Sequence, residues 1–138
     1  MSAAPMDDPL LAARVAAGVQ DAVAAYARAL DAGLPDAVAT LFTPDGVTVI
    51  DGQGVFTGRA EIRAAYAGFR VTRPQLHLVT NTVVTRWTAE EASAVSDLAF
   101  FRLGRDGWAV RLVGRYDDTL RPHEGAWLFH HRHATFLS

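Results

Sequence analysis

The apolar residues change their spacing about halfway along the chain, and this change constrains the fold more than any other feature. Between Asp8 and Asp31, the residues Leu11, Val15, Val19, Val23, Tyr26 and Leu30 recur at three- and four-residue steps. That spacing is the signature of an amphipathic helix, and alanines of high helix propensity fill the places between. Gly33 and Pro35 supply its stop, and Pro35 opens a short second helix to Leu41. Thr43-Pro44-Asp45-Gly46 reads as a turn cluster. Two short strands, 47–50 and 55–57, follow and are joined through Asp51-Gly52-Gln53-Gly54. Helical spacing returns over 58–69, with Ile62, Tyr66 and Phe69 on one side. The remainder consists of four long β-rich stretches, 74–86, 92–103, 108–120 and 126–137, with breaks at 88–91, 104–107 and 121–125. Helices first and a long antiparallel meander afterwards predict an α+β fold. The expected form is a cone-shaped, curved mixed or antiparallel sheet with three N-terminal helices over its concave face, enclosing a pocket for a small ligand.

Composition narrows the function classes. A chain of 138 residues fits one compact domain over 1–138, with 1–8 expected to be a flexible N-terminal segment. Half of it is hydrophobic and a fifth charged, which excludes a disordered chain. The net charge of −2, with signs interspersed, lacks the clustered Lys and Arg of a nucleic-acid surface. The absence of Cys removes disulfides, thiolate metal sites and a cysteine nucleophile. Residues 1–9 hold Asp7 and Asp8 and no basic cluster, so no secretory signal is expected. No apolar run approaches the roughly 20 residues that a bilayer demands. The expected location is cytoplasmic, with no membrane and no nucleic-acid partner.

Three residues could do chemistry. Asp31 ends the first helix, where the dipole disfavours an anion by ~0.3–1 kcal/mol. It is either a solvated surface carboxylate or an acceptor for a partner across the pocket. Tyr26 stands five residues earlier, so the two side chains diverge by about 140° on an ideal helix; both can border only a wide pocket. Tyr26 is either a core aromatic with a satisfied hydroxyl or a functional phenol. His77 stands at the start of the third strand, in the run Gln75-Leu76-His77-Leu78-Val79-Thr80-Asn81, in which alternation puts His77, Val79 and Asn81 on one face. It is either a hydrogen-bonded core residue or a proton-transfer group, for which imidazole is best suited near neutrality.

Other clusters read more plainly. Alternation separates His131 and His133 from His130 and Arg132, so a metal site there lacks a third ligand, and none is expected. Tyr116 and Asp118 can share one face, and Arg115 and Asp117 the other, as an ion pair. Trp108 and Trp127 read as core or interface anchors. Gly52 and Gly54 precede a strand rather than a helix, which is not the context of a phosphate loop. No serine lies in a nucleophile elbow.

Several segments together resemble the SnoaL-like branch of the nuclear transport factor 2-like superfamily. They are Tyr26-Ala27-Arg28-Ala29-Leu30-Asp31, Leu41-Phe42-Thr43-Pro44-Asp45, Gly58-Arg59-Ala60-Glu61-Ile62, His77 with Asn81, Gly114-Arg115-Tyr116-Asp117-Asp118, and Trp127. Within that family the chain is most similar to the eliminating enzymes: bile-acid dehydratases, scytalone dehydratase and a dehydrochlorinase of chlorinated cyclohexanes. The resemblance implies a cofactor-independent lyase or isomerase, a dehydratase, double-bond isomerase or polyketide cyclase, acting on a small apolar or weakly polar substrate. His77 would take a proton, Asp31 would orient it, and Tyr26 would hydrogen-bond an oxygen that gains charge or leaves. Asn81, Phe100, Tyr116 and Arg132 are expected to contact substrate. The chain departs from the bile-acid type in two places: Phe100 stands where those enzymes carry a second Asp, and Phe136 where they carry an Arg, with Arg132 nearby. If 88–91 is a four-residue loop, Asp97 pairs near Thr82 and points away from His77. The resemblance also implies a homo-oligomer formed through the outer face of the sheet, a trimer before a dimer. A second reading is a non-catalytic binding or scaffold protein similar to the β subunits of ring-hydroxylating dioxygenases.

Overall fold

The computed structural model describes residues 8–137; the N-terminal segment expected to be flexible lies, up to residue 7, outside the described residues. Helix α1 spans Pro9–Asp31, α2 Pro35–Thr40 and α3 Gly58–Gly68. Strands β1 (Phe42–Ile50), β2 (Gly54–Thr57), β3 (Gln75–Trp87), β4 (Ala92–Gly104), β5 (Gly107–His123) and β6 (Ala126–Leu137) form one sheet in the order β2-β1-β6-β5-β4-β3. Only β1 and β6 run parallel; every other pair is antiparallel. The sheet curves without closing and the helices pack over it, as the switch in periodicity predicts.

Local chemistry starts and stops the helix that positions the site. The Asp8 carboxylate accepts from the backbone N–H groups of Leu10 and Leu11, 3.2 Å each, and Pro9 occupies the first turn. At the other end Gly33 adopts φ +70°, a left-handed conformation that costs glycine little. The buried face of α1 (Val15, Val19, Ala22, Val23 and Tyr26) packs on β3, β4 and β6. At Gly18 a Cβ would stand 2.4 Å from Cδ1 of Trp127, so this helix and β6 approach closely only because glycine is there. Phe42, Ile62, Leu120 and Phe129 are fully buried in the same core, each contributing about 1.5–3 kcal/mol of burial.

Four expectations need correction. Thr43-Pro44-Asp45-Gly46 does not end a turn before the strand but lies within β1. Phe42 pairs with Phe129 and Val47 with His131, so four residues of β1 bulge opposite one of β6. The break at 121–125 shrinks to Glu124-Gly125, both at positive φ (51° and 86°), a two-residue hairpin turn that lets β5 run through Pro122 to His123. In β3, Asn81 takes φ 54° at a bulge, and a second bulge falls between Val84 and Arg86. Each inserts one extra residue, so Asp97 pairs with Thr80 rather than Thr82. Asp97 also takes up Arg115, at 3.2 Å, which Asp117 was expected to hold.

Candidate active site

The end of α1 meets the start of β3. His77 Nδ1 lies 2.5 Å from Asp31 Oδ1, the His77 backbone N–H donates to Asp31 Oδ2 at 2.6 Å, and Gln75 Nε2 donates to Oδ1 at 3.1 Å. An ionised carboxylate only accepts, so Nδ1 carries the hydrogen of this bond and Nε2 of a neutral ring keeps its lone pair. Hydrogen bonds to a charged group contribute ~1.5–3 kcal/mol each, which outweighs the cost of an anion at a helix C-terminus. Both side chains are nearly buried, with 11 % and 13 % of their surface exposed.

His77 opens onto a cavity of about 460 Å³ between the helices and the concave face of the sheet. Tyr26, Tyr66 and Tyr116 line its depth, and Leu30, Ile50, Leu98, Leu112 and Phe136 its sides. Phe100 is the cross-strand partner of His77, and the two rings lie 4.5 Å apart, tilted by 30°. The space beside His77 is therefore narrowed by Phe100 but not filled. Phe101 points to the opposite face, paired with Leu76.

The hydroxyls of Tyr26 and Tyr66 are hydrogen-bonded to each other, and Thr48 Oγ1 stands 3.4 Å from that of Tyr66. Two phenols sharing one bond leave one hydroxyl hydrogen over. Burial pushes the pKa of Tyr26 well up, with Tyr66 and Tyr116 adding to it, and burial likewise raises Tyr66 and Tyr116. All three remain neutral donors through the physiological range.

Beneath the tyrosines lies a buried charge. Arg132 is wholly inaccessible and paired bidentately with Asp118, Nε to Oδ1 at 2.8 Å and Nη2 to Oδ2 at 3.0 Å. Its guanidinium carbon lies 3.5 Å from the ring centroid of Tyr116, 4.2 Å from that of Phe129 and 4.3 Å from that of Tyr26. Nη1 has no hydrogen-bond partner among the described residues. Burial acts to lower the pKa of Arg132, but Asp118, Tyr116 and Tyr26 together raise it, so it stays charged.

Of the residues expected to contact substrate, Phe100 and Tyr116 line the cavity and two do not. Asn81 is exposed because its bulge turns it out of the alternation, and its Nδ2 donates to Asp97 at 2.9 Å. Arg132 faces inward but is sealed behind the rings. The outer histidines go separate ways: His130 to Thr43 at 3.1 Å and His133 to Asp51 at 2.7 Å, with His131 exposed. Among the described residues no three His, Asp or Glu side chains gather as metal ligands would.

Sequence reasoning left out three cavity residues, Tyr66, Gln75 and Arg102, and the pairing of Asp118 with Arg132. Tyr66 reads in the sequence only as part of a helix stripe, although the i, i+4 step from Ile62 places it inward. Gln75 shares the alternation of His77. The Asp118–Arg132 pair required the β5–β6 register, in which the two are direct partners. Arg102, facing Gln75 on the ladder, required the β3–β4 register.

A model of the SnoaL-like domain matches residues 12–133. Among solved structures, a Catenulispora acidiphila protein in complex with S-DNPA is 26 % identical, with a TM-score of 0.81 over 90 % of this chain and 94 % of that one. A candidate scytalone dehydratase from Novosphingobium aromaticivorans is 20 % identical, with a TM-score of 0.81 over 93 % and 87 %. LinA is 19 % identical, with a TM-score of 0.79 over 94 % and 90 %. No curated protein matches the sequence. No helix among the described residues is long and apolar enough to cross a membrane.

Proposed function

The chain belongs to the SnoaL-like domain family, and from that premise we propose a cofactor-independent lyase or isomerase acting on a small organic molecule with an apolar body. The observation that carries the reading is the doubly hydrogen-bonded contact of Asp31 with His77 on the wall of a cavity of about 460 Å³. His77 Nε2 takes a proton from a carbon next to a carbonyl, and the C–H electrons move into an enolate. Asp31 holds the ring and stabilises the imidazolium. The spare hydroxyl hydrogen of the Tyr26–Tyr66 pair bonds the enolate oxygen, in a site whose apolar walls strengthen that bond. In an elimination the proton then passes from His77 to a departing β-hydroxyl, which leaves as water. In an isomerisation or ring closure it returns to another atom of the same molecule. The similarity to a candidate scytalone dehydratase and to LinA supports this class at the level of the fold.

The exposed apolar rows on the outer face of the sheet support a homo-oligomer, and the resemblance to the eliminating enzymes places a trimer before a dimer. Leu76, Phe101 and Val110 form one cross-strand row, and Leu78, Ala99, Val113 and Leu137 a second. Leu76, Leu78, Val110, Val113 and Leu137 are all more than 40 % exposed.

A second reading rests on Phe100. A phenyl ring on His77, where similar enzymes hold a second carboxylate, favours a binding or scaffold protein without turnover. Hydrogen–deuterium exchange at carbon separates the two: a panel of small cyclic ketones in D₂O, followed by NMR, should show exchange next to the carbonyl. A scaffold shows binding without it.

A further inference from the structure

The cavity carries an uneven set of charges. Apart from His77, the charged side chains lining it are Arg70, Arg102 and Asp51. Asp51 is hydrogen-bonded to His133 Nε2 at 2.7 Å. Neither Arg70 nor Arg102 makes an ion pair with any described residue. Arg102 pairs on the ladder with Gln75, one step of the concave face before the pair His77–Phe100. Two residues along a strand span about 6.8 Å, so the backbones of Arg102 and Phe100 stand about that far apart on the same face. Its guanidinium carbon lies 5.4 Å from the Phe100 centroid, on the ring that also stacks on His77. Arg70 follows Phe69, which lines the cavity and packs edge-on against Tyr66.

Resting on the proton-transfer reading above, we infer that the substrate carries an anionic group, a carboxylate, at the end remote from the reacting carbon, held by Arg102 and Arg70. A guanidinium resting over an aromatic ring, as that of Arg102 does, presents a planar fork that matches a carboxylate. Tyr26 and Tyr66 meet the reacting oxygen, Phe100 and Leu98 cover the apolar body, and the two arginines take the charge. The site thus selects small organic acids over their neutral analogues, and orients them with the body toward His77.

Binding of 2-naphthoate and its neutral counterpart 2-naphthamide, measured by calorimetry, tests this. The wild-type protein should bind the carboxylate at least ~10-fold more tightly. The preference should shrink in Arg102→Gln and in Arg70→Gln and vanish in the double variant, with amide binding unchanged. It should also weaken with added salt. Equal affinities in the wild type, or a preference that survives the double substitution, would overturn the inference. The His77→Ala variant keeps the two proposals apart. If its carboxylate preference persists while exchange at carbon never depended on His77, the proton-transfer reading falls and the anion site stands. If exchange requires His77 but no preference exists, the anion site alone falls.

Discussion

His77 occupies both oxygens of Asp31: its ring Nδ1 lies 2.5 Å from Oδ1 and its backbone N–H donates to Oδ2 at 2.6 Å. Ring and strand backbone are thereby held to the end of α1 by one carboxylate, and the tautomer of the imidazole follows from the arrangement.

Asp31→Asn should keep the fold and lose the tautomer. An amide can donate to Nδ1, which moves the ring hydrogen to Nε2 and removes the base. Turnover should fall by ~10²–10⁴-fold, and ¹⁵N NMR of His77 should show the hydrogen leaving Nδ1. A rate within twofold of the wild type would make Asp31 a structural residue only.

The three tyrosines predict an alkaline transition. The chain has no others, and burial raises the pKa of each. In the unfolded chain they ionise near pH 10. The stability their neutral forms contribute is complete below that pH and is lost as pH rises toward their folded values, by up to about 1.4 kcal/mol per pH unit for each. Ultraviolet titration should detect no tyrosinate in the native protein at pH 10.5, and its appearance should coincide with unfolding. A native tyrosinate signal at that pH would contradict the burial.

Breaking the Asp118–Arg132 pair should be costly from either side. Asp118→Leu or Arg132→Met alone leaves a buried charge uncompensated, and the loss should be about 3–5 kcal/mol. The double variant Asp118→Leu/Arg132→Met should recover much of it. Urea denaturation measures all three; additive losses would show the two residues act independently.

For the homo-oligomer proposed through the outer face, Leu78→Lys with Val113→Lys should yield a monomer in sedimentation velocity, with ligand binding in the cavity retained. An unchanged sedimentation coefficient would move the interface elsewhere.

Periodicity made the architecture legible, because helix and strand spacings differ so sharply between the two halves of the chain. Asp31 and His77 were legible too, one as an anion at an unfavourable helix end and the other as an inward imidazole. Register was not. Asn81 looks inward by simple alternation, yet a single left-handed residue turned it out, and its bulge together with the one between Val84 and Arg86 shifted Asp97 by two residues against its partner strand. Arg132 read as a substrate contact, and only the β5–β6 pairing reveals that Asp118 and three aromatic rings seal it from the cavity. The turn-forming residues of 43–46 bend β1 without ending it, since the parallel ladder to β6 resumes at Val47.

The role proposed for His77 is to remove a proton from carbon. Deuterium incorporation into small cyclic ketones in D₂O, followed by NMR with wild-type and His77→Ala protein, tests it most directly. Exchange next to the carbonyl with the wild type, and its loss by at least ~10²-fold in the variant, is the predicted result. Equal exchange rates in the two proteins would contradict it.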